Sequence, residues 1–129
     1  MLLSVDDGSF DAEGSLLELR RLAESAGATV FAVVEQKRES PDAATYIGHG
    51  RLEEIRELCG REEIDLLIAD GELTPTQQRN MENFTDTRVI DRTTLILDIF
   101  AKNARTSEGK LQVELAQLNY LLPRLAGQG

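Results

Sequence analysis

The 129-residue sequence holds one cysteine, Cys59, and one histidine, His49. A single thiol excludes a disulfide within the chain and a cysteine-rich metal site, and a lone histidine excludes a histidine-rich zinc site. No nucleophile–histidine pair carries a strong local signature. Tryptophan is absent and aromatics make up only 5%, so stacking bases on an aromatic platform is not the expected mode of any nucleic-acid contact. No run approaches the roughly 18 uncharged apolar residues of a spanning helix. The opening MLLSVDDGSF is too short and too acidic for a secretory signal, so a soluble, cytoplasmic protein is expected. Positive charge is also scarce. The net charge of −9 argues against binding nucleic acid with the whole surface; an acidic, solubility-adapted surface is one bland reading of it.

What is present fits one ordinary globular domain, with 41% apolar residues to build a core. The charge is divided. Residues 1–91 carry 9 basic and 20 acidic residues, whereas residues 92–129 carry 5 and 3. An acidic body therefore bears a mildly basic arm.

In the body, short apolar runs alternate with amphipathic stretches. Met1 to Val5 is a weak first strand, followed by the turn-like Asp6-Asp7-Gly8. A helix from about Ser15 to Ala26 turns Leu16, Leu19, Leu22 and Ala23 inward, and Gly27 stands where a terminating glycine belongs. Thr29 to Val34 is β-branched and nearly all apolar, which predicts a strand buried on both faces. Ser40-Pro41-Asp42 signals a turn. Arg51 to Leu58 gives a second helix, with Cys59 in its buried pattern. Ile64 to Ala69 is a third strand. Thr74-Pro75-Thr76-Gln77 is a helix start, with a capping threonine, a first-turn proline and a box-closing glutamine, for a helix to about Phe84. Thr87 to Ile90 is a fourth strand. This alternation predicts an α/β fold: a small four-stranded parallel sheet with flanking helices, over residues 1–91.

Residues 92–129 read as one long helical arm, from about Thr93 to Leu122. Leu111, Leu115, Leu118, Leu122 and Leu125 are spaced by four and three residues, one apolar seam suited to a second helix. Backwards, the seam continues through Glu108, Ala104, Ala101 and Leu97. Gly109 weakens its middle by about 1 kcal/mol relative to alanine, inviting a bend. Pro123 is expected to end or kink the helix.

Three features could carry chemistry. Gly48-His49-Gly50 precedes a helix, where free amides hold anions; it lacks the third glycine of a dinucleotide fingerprint, and no phosphate-binding P-loop motif occurs anywhere, so a structural turn is the stronger reading. Asp70 and Asp91 follow strands three and four, where crevices form in open parallel sheets, as Glu35 and Lys37 follow strand two; the simpler reading makes Asp70 a turn residue and Asp91 the cap of the arm helix. Lys102, Arg105, Lys110 and Arg124 could meet nucleic-acid phosphates, against the commoner reading of a solvated helix face.

The strings ATYIGHGRLEEI, LLIADGELTPTQQRNME and VIDRTTLILDIFAKNARTSEGKLQVELAQLNYLLPRL resemble the amino-terminal part of the HflX family of ribosome-associated GTPases. The likeness covers residues 29 to 126 well and the first 28 in outline, and the run from Asp91 to Leu125 is highly specific. It implies an α/β domain, then two long antiparallel helices joined by a glycine-rich connector, then a GTP-binding domain. On that reading the arm is the first helix of the pair and Gly127-Gln128-Gly129 opens the connector. The seam is then meant for the second helix, or else folds back on its own sheet or pairs with another copy. The resemblance further implies binding to the large ribosomal subunit and its RNA, a part in splitting or rescuing stalled ribosomes, no catalysis by this segment, and GTP with magnesium in the G domain. His49 departs from the small or basic residue usual at its place. The competing readings are a nucleotide-binding (ATP) α/β domain at the crevice of Gly48, Gly50, Asp70 and Asp91, and a structural oligomerisation module working through the leucine seam.

Overall fold

The computed structural model of the chain describes residues 1–103 and 107–125. Its elements alternate as the apolar runs require: β1 (Leu2–Asp6), α1 (Ala12–Ser25), β2 (Val33–Lys37), α2 (His49–Arg61), β3 (Leu66–Ala69), α3 (Pro75–Thr85), β4 (Arg88–Asp91), α4 (Arg92–Asn103) and α5 (Ser107–Leu125). The four strands pair in the order β2-β1-β3-β4, all parallel.

The weakest apolar run of the sequence, β1, is an interior strand. Leu2, Leu3, Ser4 and Val5 of β1 are all buried, because strands pair on both edges of β1 and helices cover both its faces. Leu2, Ile68 and Ile90 meet Leu16, Leu19 and Ala23 of α1 and Leu95 of α4. Leu3, Val5, Leu67 and Val89 meet Leu52, Ile55 and Cys59 of α2 and Met81 of α3 on the other side. Each large side chain so buried contributes about 1.5–3 kcal/mol.

The second run behaves otherwise than its composition suggests. β2 begins at Val33 rather than Thr29, and only one of its faces is covered. Phe31 is 53% exposed and Val33 42%. It lies at the sheet edge, and α1 packs over β1 and beside α4 instead of over β2. Burial on both faces belongs to β1 and β3.

Helix ends follow their local chemistry. Asp11 caps α1 by accepting from the Gly14 amide at 3.1 Å. At the far end Gly27 takes φ +91°, and the amides of Gly27 and Ala28 bond the carbonyls of Glu24 and Ala23, the pairing that closes a helix on a left-handed glycine. The capping box of α3 is complete: Gln77 N–H donates to Thr74 Oγ1 at 3.0 Å and Thr74 N–H to Gln77 Oε1 at 2.9 Å.

The arm departs from the one long helix, bent near Gly109, expected of it. It comprises two helices of 12 and 19 residues, and α5 returns antiparallel along α4. Gln117 Nε2 donates to Asp98 Oδ1 at 2.9 Å, and Tyr120, further along α5, reaches back to Asp91 just before α4. α5 also touches α3. Pro123 lies within the last turn of α5, which runs on to Leu125. The Arg124 guanidinium donates to the Tyr120 carbonyl at 2.7 Å and supports that turn.

Candidate functional site

The carboxyl ends of the strands gather most of the polar groups in the interior. Asp70 follows β3 and is buried. Its Oδ1 pairs with Arg92 Nη1 at 3.1 Å, and the same guanidinium reaches Glu18 at 2.7 Å and Ser15 Oγ at 3.1 Å. One arginine from the start of α4 thus ties β3 to α1. The second carboxylate oxygen of Asp70 is buried without a hydrogen-bond partner.

Asp91 ends β4 and is 1% exposed. Its Oδ1 accepts from the Thr94 amide at 3.0 Å and the Thr94 hydroxyl at 2.9 Å, which caps α4. Its Oδ2 accepts from the Leu73 amide at 2.9 Å and from the Tyr120 hydroxyl. Arg124 Nη2 lies 3.9 Å from the same oxygen and donates to the Leu73 carbonyl. The Arg124 guanidinium also stacks on the Tyr120 ring, 3.6 Å from its centroid. Burial, followed by the bond to Asp91, pushes the Tyr120 phenol well above its ordinary pKa.

Tyr46 is the residue that sequence reasoning missed. It is 4% exposed and sits at φ +63°, a conformation costing roughly 1–2 kcal/mol for a side chain of this size. Its hydroxyl accepts from the Val5 amide at 3.3 Å and donates to the Asp70 carbonyl at 3.2 Å. The phenol thereby joins the ends of β1 and β3, and burial pushes its pKa up to about 12. No spacing marks such a residue. Tyr46 and Asp42 exchange two backbone bonds that close a tight loop.

Gly48 lies close under the ends of the Arg38 and Gln36 side chains. A Cβ there would stand 2.5 Å from Arg38 Nη1, with the Gln36 amide group at 3.1–3.2 Å. Its N–H already donates to Gln36 Oε1 at 2.8 Å. Gly50 opens onto free space, and His49 pairs at the surface with Glu53 at 3.3 Å. Gly48 and Gly50 therefore sit at the start of α2, away from the Asp70–Arg92 and Asp91–Tyr120 clusters in hydrogen bonding, though Tyr46 links the preceding loop to Asp70. Among the described residues no group of three or more histidine, cysteine, aspartate or glutamate side chains could hold a metal ion.

On the arm, Leu115, Leu118 and Leu122 are 51%, 52% and 56% exposed, while Gln117 faces α4 and Tyr120 and Arg124 face the body. Arg105 and the side chains of Lys102, Lys110, Leu111 and Leu125 lie outside the described residues.

Residues 13–101 match the family model described as GTP-binding GTPase N-terminal, and residues 103–129 match GTP-binding GTPase Middle Region. The chain belongs to the HflX GTPase family. It is 51% identical over 117 residues to the GTPase HflX of Caldanaerobacter subterraneus subsp. tengcongensis, an alignment spanning 91% of this chain and 27% of that protein. Against GTPase HflX of Escherichia coli (strain K12) the identity is 46% over 110 residues, 85% of this chain and 26% of the relative. The chain thus spans about a quarter of the length of these curated HflX relatives. A GTP-binding protein from the hyperthermophilic archaeon Sulfolobus solfataricus, solved in complex with GDP, superposes with a TM-score of 0.73 at 30% identity, over 98% of this chain and 39% of that one. The α/β unit and the helical arm described here therefore correspond to the amino-terminal region of an HflX-type GTPase. Within this HflX segment, Asp70 and Asp91 serve the fold, as a buried ion-pair partner and a helix cap. No helix among the described residues is long and apolar enough to cross a membrane.

Proposed function

We propose that this chain is the ribosome-binding module of an HflX-type GTPase, which associates with the large ribosomal subunit and takes part in splitting or rescuing ribosomes without hydrolysing GTP itself. The observation that carries this reading is the division of charge: −11 over residues 1–91 against +2 over residues 92–129, within a chain of this family. An acidic body repels phosphate, so contact with ribosomal RNA falls to the arm. Lys102, Arg105 and Lys110 are the contacts. Arg124 is turned to Asp91 and Leu73 and acts as an anchor of the arm. GTP and magnesium belong to the remainder of the longer protein, since the sequence carries no P-loop motif. The exposed stripe of Leu115, Leu118 and Leu122 supports pairing with a further helix of the same protein. The setting is the cytoplasm.

The test is co-sedimentation of the chain with large ribosomal subunits across a salt series. Binding that weakens with salt and is lost in Arg105→Glu/Lys110→Glu supports the arm as the RNA contact. Binding indifferent to salt, or unaffected by that double change, overturns it.

A further inference from the structure

Most helices of this fold are held by leucines. α5 is held differently, because three of its leucines point the other way. Leu115, Leu118 and Leu122 are each more than half exposed. The groups that reach inward are an amide, a phenol and a guanidinium: Gln117 meets Asp98 of α4, while Tyr120 meets Asp91, and Arg124 meets the Leu73 carbonyl and Asp91, in the body. We propose that α5 is a releasable strap across the carboxyl end of β4, fastened by a polar latch of Tyr120 and Arg124 on Asp91. This inference does not depend on ribosome binding.

Three features suit the latch to opening. First, a helix docked by polar contacts trades protein hydrogen bonds for water ones on release, so each latch bond adds little net free energy to the docked state. Second, Asp91 is not stranded when α5 leaves. Its Oδ1 keeps both bonds from Thr94 and its Oδ2 keeps the Leu73 amide, so the carboxylate stays hydrogen-bonded on the body alone. A buried charge left bare would forbid that state. Third, the closed state carries its own cost, because Arg124 Nε is buried without a partner and returns to water when the strap lifts. Opening uncovers the Leu73 carbonyl and the Asp91 carboxylate at the sheet's end and frees the Tyr120 and Arg124 side chains. The bistable element is α5, and the latch sets its balance.

Hydrogen exchange on the whole 129-residue chain tests this, comparing amides of residues 112–124 with those of β1 and β3. In Arg124→Met and in Tyr120→Phe, which alter α5 and leave the body's own residues intact, exchange across α5 should quicken tenfold or more while the strands keep their protection. Leu118→Ala, on the outward face, should change neither. The proposal is overturned if both latch variants exchange along α5 at the wild-type rate. It is equally overturned if strand and α5 amides quicken together, which would make the cluster part of the cooperative core. Wild-type α5 amides exchanging without protection would mean that no closed state exists.

Discussion

The body and α5 solve the same packing problem with opposite chemistry. In the body, leucine, isoleucine and valine side chains from β1, β3 and β4 meet those of four helices, and polar groups enter mainly at strand ends where a carboxylate can be capped or paired. In α5 Tyr120 and Arg124 are turned inward, while Leu115, Leu118 and Leu122 are turned outward. The core gains stability in proportion to apolar area removed from water, so it is strong and non-directional. The latch gains little net energy per bond but specifies one orientation, because each bond must be met at a set distance and angle. A fold that must persist and a helix that must be placed call for these two different interactions.

Substitutions separate the two regions by size of effect. Leu67 lies at 0% exposure between the sheet and α2–α3; Leu67→Ala should cost about 4 kcal/mol in denaturant unfolding through lost burial and a residual cavity. Asp91→Asn should cost about 3 kcal/mol, since an amide NH2 turned toward Oδ2 would face the Leu73 N–H and Arg124, donors against donors. If Asp91→Asn melted no lower than the wild type, the carboxylate would not be the shared keystone of body and arm.

Tyr46→Phe should cost about 2 kcal/mol, leaving the Val5 amide and Asp70 carbonyl unpaired in the interior. It should also flatten an alkaline transition. The Tyr46 phenol titrates near 12 in the fold against an ordinary 10, so its protonated form stabilises the native state fully below pH 10 and that contribution is lost as pH rises towards 12. The wild type should lose stability across that window by urea titration, and Tyr46→Phe should lose less. Thr74→Ala opens the capping box of α3 and should cost about 1 kcal/mol. Smallest is Leu118→Ala on the outward face of α5, expected within about 0.5 kcal/mol by thermal melting. A loss as large as that of Leu67→Ala would erase the contrast between body and strap.

Much of the α/β unit was legible because it is written locally. The start of α3 needed only Thr74, Pro75 and Gln77, and the end of α1 only Gly27. The parallel sheet followed from apolar runs separated by helix-length crossovers. The second run misled because Phe31, Ala32, Val33 and Val34 look alike in composition, and nothing in their order says that no helix will cover one face of an edge strand. Asp91 as a cap could be read from its place before an arm helix. Its meeting with Tyr120 and Arg124, 29 and 33 positions later, could not, because that contact exists only once α5 has turned back.

The sequence by itself determined the alternation of strands and helices in the α/β unit and the family, since periodicity, caps and motif strings are short-range properties of the chain. It also placed Leu115, Leu118 and Leu122 on one helix face, and those three are exposed on α5. Only the tertiary structure decided which strands are interior, which face of α5 looks inward, and that Arg124 is an anchor. Those depend on contacts between residues far apart in sequence, where the free energy of burial and pairing is settled by what the rest of the fold brings alongside.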